Sequence, residues 1–358
     1  AVAEITVDTE TNELVLGDGV TQGGRRVGIS RVTTSDLINS VVKYPQDDVI
    51  ETCGFTTAGD GGAGKWKQNG VTGQTPSQTP AQLGDALLND ASGNQWALAV
   101  SGAVDCRVTG VSISNTPEQN TYAAQAIVNA LKLGGEVEIN EFYDFKAIYD
   151  DDRDFLPSGY VPNDEMRRAN KALIIYDSEN LIISGSGGID RSGDSIADTN
   201  YSEYSSSIYV SKSKSIKIKD IGILGFQSDI DLYNDIKNIT SGSAVIINNG
   251  SDGCSLDSLY LKDGTNGIAL AINRTSNAQD IDPLLAPVTN TNISNVECAN
   301  FEHPLLLADC DGVNLSNVNH FIEQGTGGTS TGASQRGLFL HSCKNVNITN
   351  YNTKGSFK

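Results

Sequence analysis

The chain has 358 residues, a formal net charge of −19 and a hydrophobic content of 38%. A surface this acidic repels phosphate backbones and anionic headgroups, which excludes nucleic-acid binding and docking on anionic membranes, and no apolar run is long enough to span a bilayer. Gly, Asn, Ser, Asp and Thr are abundant and Met occurs once; these residues supply turn conformations at little steric cost, so the bias suits a β-rich protein with many turns. The chain opens AVAEITVDTE, without an initiator Met or a secretory signal, which reads as a processed or truncated end.

Residues 1–27 alternate apolar and polar positions around two turn clusters, in EITVDTETNELVLGDGVTQGG, and read as strands and a turn. Asp8-Thr9 through Gly17-Asp18-Gly19 and Gly23-Gly24 give this stretch the pattern by which it resembles the small N-terminal attachment modules of phage tail fibres and tailspikes. A short capped helix is expected over TTSDLINSVV, from Thr33 or Thr34 onward. The segment VIETCGFTTAGDGGAGKWKQNG resembles the stretch placed just before the β-helix in many tailspikes. Residues 71–95 read as an extended polar linker carrying a short helical piece. Gly59 through Lys65 fits the first seven places of a phosphate-binding loop, but Trp66 stands where Ser or Thr must hold magnesium and no apolar strand leads in, so a glycine turn is expected instead.

The clearest helix is 120–135, NTYAAQAIVNALKLGG, with Asn120 or Thr121 as cap and Gly134-Gly135 as its end. The strand EVEIN follows. This unit resembles the cap that closes the first coil of pectate-lyase-like β-helices.

From about residue 171 the chain repeats a short apolar strand, a polar turn and an alternating second strand: ALIIYDSENLIISG, SSIYVSKSKSIKIKD, SAVIINNGSDGCSLDS, then GIALAI joined to NTNISN by an insert over roughly 273–290, PLLLADCDGVNLSN and GLFLHSCKNVNITN. Constant strand pairs with variable loops are what a stack of coils requires, because each coil adds one strand to each parallel sheet while loops leave the stack freely. After the second strand one column reads Asp220, Ser258, Asn295, Asn317, Asn350; Asn and Asp tolerate the left-handed backbone of a sharp bend, and stacked Asn side chains can bond along a ladder. The fold class is all-β: a right-handed, single-stranded parallel β-helix with a small N-terminal β region and a capping helix. The expected division is 1–33 as attachment module, 34–118 as helix, linker and small β region, and 119–358 as β-helix.

The six cysteines form no CxxC pair, so no zinc site is expected and buried thiols are the better reading; Cys310 and Cys343 fall in register, with Cys254 nearby. In the first strand Ile174, Tyr209, Ile246, Ala269, Leu306 and Phe339 alternate with inward residues. A strand apolar on both faces is covered on both, either by two further copies in a homotrimer, the favoured reading, or by a loop of the same chain. TNYNTKGSFK ends the sequence without a capping segment, which implies further coils beyond Lys358.

Resemblance to tailspikes implies a virion protein, assembled in the host cytoplasm, attached to a phage tail or baseplate protein and meeting a bacterial surface polysaccharide. Glycosidic cleavage needs two carboxylates, roughly 5–5.5 Å apart for retention and about 6.5–9.5 Å for inversion, and parallel strands stack about 4.8 Å apart. Placing Leu259, Val296 and Val318 inward puts Tyr260, Glu297 and Asn319 on one outward column, an aromatic ring beside a carboxylate. Glu302 and His303 lie one coil before Glu323 and Gln324. The candidate catalytic residues are Glu297, Glu302 and Glu323, with Tyr260 and His303 as sugar contacts and with no cofactor or metal. The true pair in missing coils, or in a groove between chains, stays open, and so does a non-catalytic adaptor or receptor-binding spike. A calcium-dependent lyase is disfavoured, because the coils hold only isolated acids and Arg191, Arg274 and Arg336 lie in loops. The only histidines are His303, His320 and His341 and there is no GxSxG elbow, so a serine triad is disfavoured too.

Overall fold

The computed structural model describes residues 4–8, 13–17, 25–27, 32–41, 46, 48–76, 86–146, 156–160, 171–193, 206–225, 243–270, 286–321 and 337–354. Glu4–Asp8 (β1), Glu13–Gly17 (β2) and Arg25–Val27 (β3) form an antiparallel sheet in chain order, as the alternation around two turns implies. A one-turn helix follows, Thr34–Ile38 (α1), capped by Thr33 and Asp36 in a reciprocal box and ended at Asn39.

Val49–Glu51 (β4), Lys65–Gln68 (β5), Leu87–Asn89 (β6) and Gln95–Leu98 (β7) make a second antiparallel sheet in the order β4-β5-β7-β6. The linker expected over 71–95 is therefore partly strand: Leu87 and Leu88 pair across to Ala97 and Trp96, and Leu88, Trp66 and Trp96 are fully buried. Burial of the apolar pair overrides a helical preference with too few residues to nucleate. Between β4 and β5 the glycine turn closes on Asp60, whose carboxylate accepts from the backbone N–H groups of Phe55, Thr56, Thr57 and Gly62 at 2.8–3.0 Å. Burial alone would raise the Asp60 pKa, but the four donors outweigh it and hold the group below the ordinary range.

Ala103–Asp105 (β8) is the first strand of the parallel stack. After a 3-10 turn over Cys106–Thr109 comes the long helix, Pro117–Ala130 (α2). It starts before Asn120, because Thr116 and Gln119 form a capping box and Pro117 takes the first helical position. Asn120 is instead buried and bonds the Ser112 backbone at 2.9 Å.

The remaining strands are Gly135–Glu138 (β9), Phe142–Asp144 (β10), Lys171–Tyr176 (β11), Leu181–Ser184 (β12), Gly188–Asp190 (β13), Ser206–Ser211 (β14), Lys217–Lys219 (β15), Gly222–Leu224 (β16), Ser243–Asn248 (β17), Ser255–Leu270 (β18), Val288–Thr289 (β19), Asn292–Ala308 (β20), Cys310–Phe321 (β21), Leu338–His341 (β22) and Lys344–Lys354 (β23). Every pairing among β8–β23 is parallel. The fold is a parallel β-solenoid with three walls. The first wall stacks β11, β14, β17 and the ends of β18 and β20 with β22; the second runs from β8 and β9 to the start of β23; the third runs from β10 to the end of β23.

The core is a set of inward files. Leu173, Ile208, Val245, Ile268 and Leu305 stack on the first wall, Val137, Ile183, Ile218, Leu256, Ile293 and Leu315 on the second, and Ile189, Ile223, Leu261 and Cys298 on the third. All are 0–2% exposed, and each aliphatic member contributes roughly 1.5–3 kcal/mol on burial.

The corners are set by backbone. Asp220, Ser258, Asn295, Asn317 and Asn350 all take the left-handed conformation, as the sequence column implies. Three further columns do the same: Asp177, Lys212, Asn249, Asp309 and Ser342 after the first wall; Asn180, Ser215, Asn290 and Asn345, with Gly253 and Gly312 in register, before the second; and Asp263 and Asn300, with Gly225, after the third. The φ of these residues other than glycine lies between 42° and 60°. Asn350 donates to Asn317 at 3.1 Å, Asn317 to Asn295 at 3.0 Å and Asn295 to Asp257 at 2.9 Å, completing the ladder.

At the N-terminal end α2 closes the stack. The Gln125 amide donates to the Ile174 carbonyl at 2.9 Å and accepts from the Ile174 N–H at 2.8 Å, so the open edge of β11 is satisfied there by one side chain.

The outward stripe of the first wall is covered within the chain. Ile174, Tyr209, Ile246 and Ala269 are 0–2% exposed and form a second apolar cluster with Tyr160 and Tyr176, against which Leu156 packs. Burial of this stripe is therefore met without a second copy. Only Leu306 and Phe339, at its far end, stay half-buried. Cys106, Cys254, Cys298 and Cys310 are buried and Cys53 and Cys343 half-buried, all as free thiols.

Candidate functional site

The third wall carries the outward file expected from sequence. Gly222, Tyr260, Glu297, Asn319 and Asn352 pair in unbroken register. Beneath them Leu259, Val296 and Val318 are 0–2% exposed, which fixes the alternation and aims the file at solvent. Glu297 is exposed, and Tyr260 and Asn319 are half-buried. A carboxylate thus stands one coil from a phenol ring and one coil from an amide, on a wall held by parallel ladders on both sides. Such a file offers a flat ring for a pyranose face, a carboxylate for proton or nucleophilic chemistry, and an amide for hydroxyls.

The other candidates are placed differently. Glu302 lies in β20 where the chain turns from the third wall to the first, and Glu323 lies outside the described residues. Glu297 is the only carboxylate of its file among the described residues. His303 is not an open sugar contact: it is 8% exposed, with its ring edge-on to Phe339 at 6.5 Å between centroids. It pairs with Asn266 at the entry to the first wall.

Carboxylates near the file are committed to structure. Asp257, on the second wall one coil before Ser294, accepts from Ser294 Oγ at 2.5 Å and Asn295 Nδ2 at 2.9 Å. The Ser294 hydrogen bond, the larger cause, and the Asn295 bond hold its pKa below the ordinary range despite some burial. Asp252 is held low in the same way by Thr289 and Asn290. The sequence column of turn residues could have flagged both, since each acid stands just before a left-handed position.

His320 lies in the inward file between Cys298 and Thr353, and burial lowers its pKa. It therefore packs as a neutral core residue. Among the described residues no group of three His, Cys, Asp or Glu could hold a metal ion, and no helix is long and apolar enough to cross a membrane. A cavity of about 390 Å³ lies away from the file, between the end of α2, β7 and β11, and is lined by Leu98, Asn129, Lys132, Pro157 and Tyr176 among others, without a carboxylate.

No family model matches the chain and no curated protein matches it. Among solved structures it is similar to the enzymatically active domain of tailspike protein 2 of bacteriophage CBA120, at 14% identity and a TM-score of 0.48, over 91% of this chain and 46% of that one. It is also similar to a tailspike of the Acinetobacter baumannii bacteriophage Fri1, described as a capsular polysaccharide depolymerase, at 10% identity and a TM-score of 0.43, over 90% of this chain and 63% of that one. A third is WceF of Pantoea stewartii, described as a glycan biofilm modifying enzyme with a bacteriophage tailspike-like parallel β-helix fold, at 11% identity and a TM-score of 0.36, over 98% of this chain and 52% of that one. The chain thus spans between 46% and 63% of the length of these three. These three are two phage tailspikes and one enzyme described as tailspike-like, at identities where no residue role passes from them to this chain.

Proposed function

We propose that the chain is part of a phage tailspike that recognises a bacterial surface polysaccharide, capsule or lipopolysaccharide O-antigen, and depolymerises it by glycosidic hydrolysis. The N-terminal strands attach the spike to the virion tail or baseplate, and three copies assemble around a common axis. The observation that carries this reading is the in-register file Tyr260, Glu297, Asn319 and Asn352 on a rigid wall. Its spacing of about 4.8 Å per coil places a ring, a carboxylate and amides along one line, as an extended glycan chain requires. The N-terminal pattern of Asp8-Thr9 through Gly23-Gly24 supports the attachment role.

Within this reading Glu297, Glu302 and Glu323 supply the acid and its partner carboxylate, and Tyr260 receives a sugar face. The test is to incubate the full-length protein with capsule or O-antigen purified from the host strain and to count new reducing ends. Glu297→Gln should lower the rate by at least about 100-fold, the usual range for a lost acid or base. If Glu297→Gln, Glu302→Gln and Glu323→Gln each keep full activity, the assignment of the carboxylates is wrong. A receptor-binding spike without hydrolysis is the second reading, favoured by the single carboxylate on the described file, and binding without release of reducing ends would establish it. Sedimentation of the chain in solution tests the trimer.

A further inference from the structure

Two outward files end in consecutive uncharged positions in the last described coils of an otherwise acidic chain. On the second wall one outward file runs Glu136, Ile182, Lys217, Ser255 and then changes to Asn292, Asn314 and Asn347. The neighbouring file on the third wall ends in Asn319 and Asn352. Asn292, Asn314, Asn347 and Asn352 are exposed and Asn319 half-buried.

Backbone geometry does not account for these five asparagines. Unlike Asn295, Asn317 and Asn350, none of them has a positive φ. They occupy ordinary strand positions, where Asn is disfavoured and Thr or Val would serve the sheet better. Nor do they serve as the charged outer residues that keep an exposed strand solvated, as Glu136 and Lys217 do in earlier coils. Four of them are held in order by ladder bonds. Asn314 donates to Asn292 Oδ1 at 3.0 Å and Asn352 to Asn319 Oδ1 at 3.1 Å. An amide has two donors and two acceptor sites, so each bonded member keeps donor or acceptor capacity turned to solvent while its rotamer is already fixed.

We infer that this amide face binds an uncharged stretch of polysaccharide laid along the solenoid axis, leading it to Tyr260 and Glu297. The inference rests on the proposed glycan-binding function and deepens it. Side chains ordered before binding lose little further entropy on contact, and amides paired with sugar hydroxyls need no counter-charge. The coil spacing is close to the length of one pyranose ring, so successive rungs meet successive sugars. A net charge of −19 with no Lys or Arg among these five positions disfavours a uronate- or sialate-rich segment at this face.

The test uses the full chain on an array of purified bacterial surface polysaccharides with neutral and with anionic repeats. The polysaccharide bound most tightly is then titrated against the parent and against the triple variant Asn314→Thr, Asn319→Thr, Asn352→Thr. Thr suits an outward strand position, which offsets the two lost ladder bonds, so the variant should melt close to the parent temperature, while affinity for a neutral polysaccharide falls by at least about tenfold for the lost amide contacts. Unchanged affinity would overturn the inference and leave the tailspike reading standing. A drop in melting temperature would mean that the amides serve the fold, and selection of anionic repeats alone would refute the uncharged ligand. If no polysaccharide binds and none is cleaved, the tailspike reading fails as well.

Discussion

Replacing Gln125 by Ala should unseat the N-terminal closure of the solenoid. Gln125 is fully buried, and its amide is bonded to both backbone groups of Ile174 and to Asn129 Oδ1 at 2.7 Å. Truncation leaves one buried N–H and one buried C=O of β11 unpaired, at about 1–3 kcal/mol each, so the expected cost is about 2–6 kcal/mol. Gln125→Glu sharpens the argument. As a carboxylate it still accepts from the Ile174 N–H but faces the Ile174 carbonyl without a proton to donate. As a neutral acid it restores both bonds, and burial favours that neutral form. The Glu variant should therefore approach parental stability as pH falls from 8 toward 5, before the acid loss of the parent sets in. Urea unfolding followed by far-UV circular dichroism and by the fluorescence of buried Trp66 and Trp96 gives the stabilities. An Ala variant within about 0.5 kcal/mol of the parent, the usual scatter of an inconsequential change, or a Glu variant whose deficit is the same at every pH, would refute the capping role.

Asn317 has φ 53° and sits in the middle of a ladder; Asn317→Val should cost about 2–4 kcal/mol, summing left-handed strain and two lost bonds, whereas Asn317→Gly should cost less because glycine takes that conformation freely. Thermal melts that rank Gly below Val would contradict this account of the corners. The pKa of His320 is lowered by burial, so below its ordinary value near 6.5 the unfolded chain binds a proton that the folded chain refuses. Stability should then fall with pH by up to about 1.4 kcal/mol per unit, starting near pH 6.5, and the urea midpoint of His320→Leu should lack that limb. Asp60, Asp252, Asp257 and Glu136 have lowered values; the stability they contribute is present above about pH 4 and lost as pH falls through their folded values, so a second, steeper decline should follow in acid.

The solenoid was legible in the sequence because its constraints are local in each coil. An inward residue every second position and an Asn or Asp at the bend recur whatever the loop lengths, so the column from Asp220 to Asn350 and the file Tyr260, Glu297, Asn319 could be aligned by eye. The other left-handed columns were harder to see because they mix Lys212, Ser215 and Ser342 with Asn and Asp; a bend held by ladders on both sides tolerates residues that local preference would reject. The strand at Leu87 was missed because its partners are remote in sequence and its pattern is too short. The start of α2 was misplaced because Asn120 has the chemistry of a cap but is used as a buried bridge to Ser112. For the outer stripe of the first wall, composition demanded a cover and could not say which. The Tyr160 segment that provides part of it lies in a connection without repeat character. The carboxylate pair was the least legible, because a side chain that touches solvent leaves no periodic trace.

The long inserts do not fall at random around the coil. Residues 147–170, 194–205, 226–242 and 322–336 join the third wall to the first and 271–287 the first to the second, whereas the connection from the second wall to the third is never more than a few residues. Two kinds of hinge therefore coexist in one turn of chain, one between the second and third walls that is fixed in length and one that is free to change in length, with left-handed residues at both. New sequence can be spliced into the free hinge without shifting a single rung. A lineage of such molecules can thus exchange what it displays along the edges of the first wall while the scaffold beneath stays in register.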